Sequence, residues 1–260
     1  MTAFKMLPKT VRPLSTVDSE RLRFFASLIR ESDIKKGNFI LDVGTGTGNS
    51  AACLALATGK SGLVVSVDVD PKHRKNLIEC FGLKDLLFVC CDARYLPFKN
   101  ECFDAAASYG TLKFLYPRSE RFKMLIEKTR VTKPNGRVVT AEVLNRATNE
   151  AEKNYLLKRK VVREIIDAGG QVKSSIEPPS IKEVLAMYEK TGLKIVKRKM
   201  LRRSEHWYDQ DWLKDTEQAI GSLPRSIQRK LKPLITNLKK RTVRYGVKYP
   251  AVILLIGARS

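Results

Sequence analysis

The stretch ILDVGTGTGNS, residues 40–50, constrains the fold of this chain more than any other segment. A short apolar run ends in the acid Asp42, and glycines follow at every second position, at Gly44, Gly46 and Gly48. Glycines permit a tight turn and let a ligand approach the backbone closely. The turn leads into the small-residue helix pattern NSAACLALATG, whose N-terminal N–H groups would face such a ligand. The segment therefore predicts a strand, a ligand-binding turn and a helix in succession.

Strand and helix patterns then alternate along the chain. The apolar runs GLVVSVD, LLFVCC, FDAAASY and RVVTAEVL predict strands, and PKHRKNLIECFG and RSERFKMLIEKTRV predict helices. The segment KPNG predicts a turn before the fourth of these runs. Continuous apolar strands that alternate with helices are typical of a parallel sheet covered on both faces. The fold class is therefore α/β, and LKIVKRKML and AVILLIGA predict two further strands near the C-terminus.

The segments around this alternating core predict three parts. Residues 1–37 predict an N-terminal helical cap, because the pattern SERLRFFASLIRES places apolar residues on one helical face. Residues 38–145 form the ligand-binding core. Residues 146–260 complete the sheet, with a lid-like charged helix over 146–178 and a basic, mainly helical insert over 201–249.

The charge of the chain is strongly positive and bears on its partners. Lys and Arg number 49 against 27 Asp and Glu, which gives a net charge of +22. A field of this size attracts RNA, DNA or an anionic membrane surface, and it carries no information about the fold. Residues 218–260 contain ten Lys or Arg and no Asp or Glu. The aromatic residues Trp207, Tyr208 and Trp212 precede this segment, and this pairing suits RNA, a membrane surface or simply a solvated basic face.

Cysteine usage and hydropathy predict a cytoplasmic protein. The five cysteines form no CxxC pair, and only two histidines are present. This composition predicts reduced thiols in a reducing compartment and no metal site. The longest plain apolar run, AVILLIG, is too short to span a bilayer.

Acids lie at the ends of three successive predicted strands, at Asp42, Asp68 and Asp92. In an open parallel sheet, ligands bind outside the carboxyl ends of the strands. The glycine spacing is GxGxG, which differs from the GxGxxG of dinucleotide sites, and no Lys-Ser or Lys-Thr pair indicates a P-loop. Asp68 is suited to both hydroxyl groups of a ribose, and Asp92 to an adenine amino group. Asp42, directly before the turn, would repel a phosphate. The alternative for each acid is a solvated turn or helix-capping residue.

At this point the sequence resembles the Rossmann-like S-adenosylmethionine-dependent methyltransferases. The matching motifs are ILDVGTGTGNS, VVSVDVD, VCCDARYLPFKNECFDAAAS and VTKPNGRVV, in that order, over roughly residues 38–145. The resemblance implies a mostly parallel seven-stranded sheet with helices on both faces and an antiparallel last strand. It also implies methyl transfer by in-line displacement, with S-adenosyl-L-methionine as the cofactor. In the KPNG segment Asn135 replaces the first glycine of the family's turn, and Asn tolerates a positive φ.

The resemblance assigns eleven residues to the binding of this donor. The loop against its methionine part and ribose is formed by Gly44, Thr45, Gly46 and Gly48, with Asp42 below. Asp68 with its neighbour Val69 holds the ribose, and Asp92 with Ala93 meets the adenine. Ser108 and Tyr109, at the end of the fourth strand, flank the sulfonium group. No catalytic side chain is assigned, because the sulfonium is already activated and alignment supplies much of the acceleration.

The methyl acceptor is the least constrained part of the interpretation. The segment SYGTLKF replaces the motif by which related enzymes methylate exocyclic base amines. Tyr109 and Phe114 in this segment, and Tyr116 beyond it, are expected either to line an acceptor pocket or to pack in the core. Three hypotheses stand: a methyltransferase acting on tRNA or rRNA, one acting on a small or lipid-like acceptor such as a quinone precursor, and a non-catalytic nucleic-acid-binding module. The basic insert favours the first, and the intact donor motif opposes the third.

Overall fold

The computed structural model describes residues 16–81, 86–170, 177–204, 206–207 and 210–259. The start of the predicted N-terminal lead and part of the predicted lid-like segment lie outside these ranges. So do Tyr208 and the side chains of Trp207 and Trp212, on which the stacking part of the RNA hypothesis depends.

Seven strands of the described residues form one sheet, and two short strands form a separate pair. In chain order the strands are β1 (Phe39–Val43), β2 (Leu63–Asp68), β3 (Leu87–Cys90), β4 (Phe103–Tyr109), β5 (Thr132–Val143), β6 (Lys194–Leu201), β7 (His206–Trp207), β8 (Val247–Lys248) and β9 (Val252–Ala258). The sheet order is β3-β2-β1-β4-β5-β9-β6, and β9 is antiparallel to both of its neighbours. The predicted mostly parallel sheet with an antiparallel last strand is confirmed.

Helices cover both faces of this sheet. They are α1 (Thr16–Arg30), α2 (Asn49–Thr58), α3 (Lys72–Phe81), α4 (Glu120–Val131), α5 (Glu150–Asp167), α6 (Ile181–Lys190), α7 (Gln210–Gly221) and α8 (Arg225–Tyr245). Successive strand residues point to opposite faces. Ile40 accordingly packs in a cluster with residues of α1, α2 and α5, whereas Leu41 packs with residues of α4 and α6. Both are fully buried, which is why the β1 sequence is apolar without alternation.

The segment KPNG, predicted as a turn before the strand, is a bulge inside it. Thr132 pairs with Phe103 of β4, but the next pair joins Arg137 to Ala105. The residues in between are accommodated because Asn135 adopts φ 62°, as its replacement of a glycine predicts. Strand β5 therefore begins five residues earlier than the run RVVTAEVL indicates.

The basic insert folds as the two helices α7 and α8 and the short pair β7–β8. A third apolar cluster joins α5, α7 and α8, with Leu231 fully buried at its centre. Three of the basic side chains of α8 form ion pairs with acids of α5 and α7, namely Lys230 with Glu164, Lys239 with Glu217 and Arg241 with Glu150. Part of the positive charge of α8 is thus neutralised by ion pairs within the fold.

The other face of α8 is basic and exposed. Arg229, Lys232 and Lys240 line a shallow groove along it together with Pro233 and Thr236. Among the helices that the structure describes, none combines the length and hydropathy that a bilayer span needs.

The helical cluster yields a stability prediction. Leu231→Ala should lower the free energy of unfolding by about 2–5 kcal/mol, because it removes buried methyl groups and leaves a cavity between α5 and α8. Urea denaturation measures the change. The adjacent residue Lys232 is exposed, so Lys232→Ala should stay within about 0.5 kcal/mol of the wild type. Equal effects of the two substitutions would contradict the packing described for α8.

Candidate functional site

The glycine-rich turn after β1 is anchored to the end of β2. The backbone N–H groups of Gly44 and Thr45 both donate hydrogen bonds to the carbonyl oxygen of Val67, at 2.9 and 3.1 Å. The three glycines of the turn all adopt a positive φ: 74° at Gly44, 51° at Gly46 and 87° at Gly48. This conformation is rarely adopted by residues with a side chain, which accounts for the composition of the motif.

Each of these glycines faces different surroundings. A Cβ atom at Gly44 would lie 2.5 Å from the side chain of Thr111, whose hydroxyl donates to the Val43 carbonyl at 2.9 Å. Gly48 is the N-cap of α2. A Cβ atom at Gly46 would meet nothing within 4 Å. Gly46 therefore leaves open a space that the protein itself does not fill, and this space is where the site lies.

Asp42 supports the turn from below and has no contact with solvent. Its side chain is fully buried, and the Ser50 hydroxyl at the start of α2 donates to Oδ2 at 2.9 Å. Neither Asp42 Oδ1 nor the hydroxyl of Thr45 completes a well-formed hydrogen bond in the described residues. Burial raises the pKa of Asp42 to about 6, against the lowering effect of the Thr45 and Ser50 hydroxyl groups. Asp42 is thus a support for the loop and lines neither cavity described below.

Asp68, at the end of β2, is bound to the same loop. The N–H of Gly46 donates to Asp68 Oδ2 at 2.9 Å, and the N–H of Asp70 donates to Oδ1 at 3.1 Å. Asp70 in turn accepts the N–H of Lys72 at the start of α3, so the helix-capping role falls to Asp70. Asp68 remains partly exposed and lines a cavity, with lone pairs on both oxygens available for ligand hydroxyl groups.

Asp92, which follows β3, is already paired in the structure. Arg94 donates to both of its carboxylate oxygens, from Nε at 2.9 and 3.0 Å and from Nη2 at 2.5 Å. Arg94 Nη1 also donates to Glu120 of α4 at 2.7 Å. The Arg94 guanidinium holds the pKa of Asp92 below its usual range. An adenine amino group would share this carboxylate with Arg94, a competition that the sequence motif did not reveal.

Two cavities meet at the glycine loop. The first, of about 420 Å³, extends across the ends of β1, β2 and β3 and is lined by Asp68, Val69, Asp92 and Ala93. The second, of about 500 Å³, lies under α1. Both are lined by Gly44, Gly46, His73 and Phe114. The structure therefore brings the predicted ribose and adenine residues together, and connects them past Gly46 to a second chamber.

The second chamber has mainly apolar walls. From α1 come Phe24, Phe25 and Leu28, and from the sheet come Tyr109, Ala141, Val143 and Val252. Cations stand among them: Arg21, Lys72, Lys113 and Arg203. The chamber thus combines mainly apolar walls with basic side chains.

Ser108 and Tyr109, predicted to flank the sulfonium together, point to opposite faces of β4. Tyr109 lines the second chamber, and its hydroxyl donates to Ser32 at 3.1 Å. Burial raises the pKa of Tyr109, so this phenol stays protonated. Ser108 is fully buried beneath the sheet, where it accepts a hydrogen bond from Lys128 Nζ at 2.8 Å. Because side chains alternate between the faces of a strand, only one of two consecutive residues can face a ligand on one side of the sheet.

Glu142 is a supporting residue that the sequence did not single out. Its buried Oε1 accepts the N–H of Leu112 at 2.7 Å, and this bond fixes the short 3-10 helix Leu112–Phe114. That helix carries Lys113 and Phe114 into the second chamber. Burial raises the pKa of Glu142 to about 7, and its Oε2 has no hydrogen-bond partner in the described part of the chain.

For Phe114 and Tyr116 the sequence left two interpretations open, lining of an acceptor pocket or packing in the core. Phe114 lines both cavities and is 58% exposed. Tyr116 lies outside both, with the Arg163 guanidinium over its ring at 4.2 Å. Sequence reasoning missed Arg203 and Tyr249, which line the second chamber. Arg203 follows the carboxyl end of β6 and Tyr249 precedes the antiparallel β9, so both reach the same sheet edge as the glycine loop.

Comparisons with known proteins identify the class of this chain. A sequence profile described as a methyltransferase domain matches residues 41–140. A demethylmenaquinone methyltransferase of Bacillus cereus is 30% identical over 184 residues, which cover 66% of this chain and 76% of that protein. The chain belongs to the Rossmann-like, S-adenosylmethionine-dependent methyltransferases. This confirms the resemblance drawn from the four motifs and the prediction of an enzyme of this class.

Solved structures of methyltransferase fold agree in architecture. A cyclopropane-fatty-acyl-phospholipid synthase-like protein from Lactobacillus casei superposes with a TM-score of 0.73 at 15% identity, over 95% of both chains. An S-adenosylmethionine-dependent methyltransferase from Aquifex aeolicus superposes with a TM-score of 0.56 at 16% identity, over 100% of both chains. At these identities the likeness concerns the fold alone.

The glycine loop of this methyltransferase yields a stability prediction. Gly44→Ala should destabilise the fold by about 1–3 kcal/mol, because the new Cβ meets Thr111 and the backbone holds a positive φ. Thr111→Ala in the same chain should recover part of the loss, since it removes the two closest atoms. Gly46→Ala is the matched control with a positive φ and open space, and it should cost about 1 kcal/mol. Thermal or urea unfolding of the wild type, these three variants and Thr111→Ala alone measures the effects, because Thr111→Ala also loses the hydrogen bond to the Val43 carbonyl. Losses that simply add in the double variant would contradict the contact with Thr111.

The buried Glu142 yields a prediction about pH. Its folded-state pKa of about 7 lies above the ordinary 4.5, so the folded protein retains a proton that the unfolded chain releases. This contribution to stability is fully present below pH 4.5 and is lost as pH rises through 7. In Glu142→Gln the loss of stability between those pH values should shrink by about 1–3 kcal/mol. Urea unfolding at several pH values measures the slope. Asp42, whose pKa is raised to about 6, gives both the wild type and Glu142→Gln a shared pH dependence of stability. Identical slopes of stability against pH in the two proteins would exclude the titration of Glu142.

Proposed function

We propose that this chain transfers a methyl group from S-adenosyl-L-methionine to a small, largely apolar acceptor held in the chamber under α1. The observation that carries this proposal is the pair of cavities joined past Gly46. One offers carboxylates at Asp68 and Asp92, and the other offers aromatic and aliphatic walls. The Bacillus cereus relative, whose name gives a demethylated menaquinone as its acceptor, supports a quinone precursor as the acceptor class.

The residues present fit this donor. The open position at Gly46 lets the donor pass between the two cavities, where any side chain would intrude. Asp68 would accept the ribose hydroxyl groups, with Val69 beside it. Asp92 and Ala93 would meet the adenine, with Arg94 sharing the carboxylate. Gly44, Thr45 and Gly46 line the second cavity at the end where the methionine part would lie. When bound, the donor supplies a methyl group on a positively charged sulfur, which is already activated for transfer.

The chain's own contribution to the reaction is mainly alignment. The aromatic wall of Phe25, Tyr109 and Phe114 would hold a flat acceptor against the glycine loop, and Phe25 and Tyr109 meet edge to face at 6.2 Å between ring centres. Placing two reactants in line can contribute about 7–11 kcal/mol toward the barrier. The enclosed apolar walls also exclude water, which would compete for the methyl group. Tyr109 stays protonated because burial raises its pKa, so it acts as a hydrogen-bond donor rather than as a base.

Binding of a partner to the basic insert is a proposal separate from the methyl-transfer reaction. An RNA acceptor, predicted from the net charge, finds no support in the comparisons above. Arg229, Lys232 and Lys240 on the exposed face of α8 keep RNA or an anionic membrane as binding partners of that surface. Neither binding would require an RNA substrate in the chamber under α1.

One transfer experiment tests the proposed reaction. The purified protein is incubated with methyl-labelled S-adenosylmethionine and with lipid, RNA and small-molecule fractions of a cell extract. Label should enter the lipid or small-molecule fraction. Label recovered in RNA instead would refute the proposed acceptor class and restore the RNA hypothesis.

A matched pair of variants tests the donor site in the same assay. Asp68→Asn keeps an acceptor for the Gly46 N–H but removes the charge, so donor binding should weaken by about tenfold or more, as titration calorimetry measures. Asp33→Asn is the control, because Asp33 pairs with Arg137 near the opposite end of the strands and touches neither cavity. Equal donor affinity of both variants would contradict the role of Asp68.

A further inference from the structure

One face of α8 carries a straight row of exposed basic side chains. Residues three or four positions apart lie next to one another along a helix. At a rise of 1.5 Å per residue, the row is about 28 Å long. The α8 sequence contains no Asp or Glu that could interrupt it. The basic row of α8 consists of Arg225, Arg229, Lys232, Lys240 and Arg244, with the exposed Thr236 between Lys232 and Lys240.

The opposite face of α8 holds this row in place. Leu231 and Ile235 pack in the apolar cluster with α5 and α7. Near the C-terminal end, Asn154 of α5 donates to the Gly246 carbonyl oxygen at 2.7 Å and accepts from Arg241 Nε at 2.8 Å. The apolar face of α8 is therefore occupied within the fold, and a partner can reach only the basic row.

The charges of the basic row are not neutralised within the described part of the chain. The ion pairs of α8 use Lys230 and Arg241 toward α5 and Lys239 toward α7. The Arg and Lys side chains of the row make no ion pair with any residue that the structure describes. Exposed charges of one sign along a straight line create a field that attracts an extended anionic surface.

The basic row lacks the groups with which proteins hold bases. Single-stranded RNA is bound by basic residues together with aromatic side chains that stack on its bases. The one aromatic residue in the α8 sequence is Tyr245, seven residues after the buried Leu238 and hence on the packed side of the helix. Beside the row lies Val243 instead, which is 74% exposed. An aliphatic side chain among cations suits the boundary between lipid headgroups and acyl chains.

The C-terminal end of the basic row lies close to the chamber under α1. Helix α8 ends at Tyr245, and Tyr249, four residues later, lines that chamber. Four residues reach at most about 14 Å, so Arg244 is near the chamber wall. A bilayer held by the row would therefore lie close to a cavity whose walls are mainly apolar.

We propose that the basic row of α8 is a docking surface for a bilayer that carries anionic phospholipid headgroups. Binding is electrostatic and peripheral: the lipid phosphates lie against the row, and α8 stays packed on α5. This inference goes beyond the proposed function and does not depend on it, because docking requires neither the methyl donor nor the acceptor.

Flotation of the full chain with lipid vesicles tests this surface. Vesicles of phosphatidylcholine alone are compared with vesicles that contain about one third phosphatidylglycerol. The protein should float with the anionic vesicles only, and raised salt should release it. The triple variant Arg229→Gln, Lys232→Gln, Lys240→Gln keeps good helix formers at exposed positions. Each lost charge should lower the binding constant about fivefold, so this variant should lower it about a hundredfold.

A second triple variant with the same loss of charge is the matched control. Lys36, Lys60 and Lys99 are exposed and precede β1, β2 and β4, so they lie near the opposite edge of the sheet from the glycine loop. Replacing all three by Gln should leave binding within about threefold of the wild type, since only the net charge changes. Equal losses in the two triple variants would mean attraction by net charge alone and would overturn the proposal. So would equal binding to the neutral and the anionic vesicles.

A variant that keeps the charge separates docking from loss of the fold. Arg229→Lys, Lys232→Arg, Lys240→Arg should bind anionic vesicles as the wild type does, because a diffuse layer of headgroups is recognised by charge rather than by the shape of each cation. Thermal unfolding of all variants should give closely similar midpoints, since every replaced side chain is exposed. Loss of vesicle binding in the variant that keeps the charge would contradict electrostatic docking.

RNA is the competing polyanion, because phosphates alone can contact the basic row. Total RNA is added to the vesicle-bound protein at a phosphate concentration equal to that of the anionic lipid, and the protein should stay with the vesicles. Release by RNA, together with RNA binding that the Gln variant of α8 loses, would assign the row to RNA and refute the membrane.

The outcome for the proposed function is read separately. Methyl transfer by a protein that does not float with anionic vesicles would preserve the reaction and refute the docking surface. Flotation that depends on the basic row, without methyl transfer to any extract fraction, would preserve the docking surface and refute the reaction.

Discussion

The convergence of two backbone N–H groups on the carbonyl of Val67 is the contact on which the site depends. It fixes the turn after β1 against the end of β2 and forces the chain through three positive φ angles. Asp68 then binds the N–H of Gly46, and Thr111 packs against Gly44 from the neighbouring strand end. Because these contacts come from β1, β2 and the segment after β4, the position of the loop follows from the order of strands in the sheet. Both cavities share this loop as a wall.

In the proposed function the two cavities divide the donor and the acceptor between them. The first carries the carboxylates of Asp68 and Asp92, at strand ends, among mainly apolar walls. The second is apolar and cationic. The proposed donor and the proposed apolar acceptor would thus each lie against protein groups that favour them, with the glycine loop between. Buried charged groups support this arrangement from both faces of the sheet, Asp42 beside α2 and Lys128 and Glu142 on the face of α4.

Local patterns predicted the sheet well, because each strand, turn and helix is encoded within a few residues. The strand, glycine turn and helix of residues 40–50 are an example. The errors arose where a pattern has two physical solutions. KPNG suits a turn or a bulge, and the pairing of Thr132 with Phe103 decides for the bulge. Ser108 and Tyr109 cannot both face one ligand on a strand. The pairing of Asp92 with Arg94 depends on the reach of a long side chain, which spacing alone does not specify.

The walls of the second chamber come from segments far apart in the chain: α1, the turn after β4, and the regions next to β6 and β9. Of these segments, only the turn after β4 falls inside residues 41–140, where the family profile matches. Arg21, Phe24, Arg203 and Tyr249 lie outside it. If the acceptor occupies this chamber as proposed, substitutions in the flanking segments would change which molecule is methylated while the donor half stays intact. The evolution of new acceptors would then be decoupled from retention of the cofactor, and exchange of α1 together with the segments next to β6 and β9 would be the unit for engineering acceptor choice.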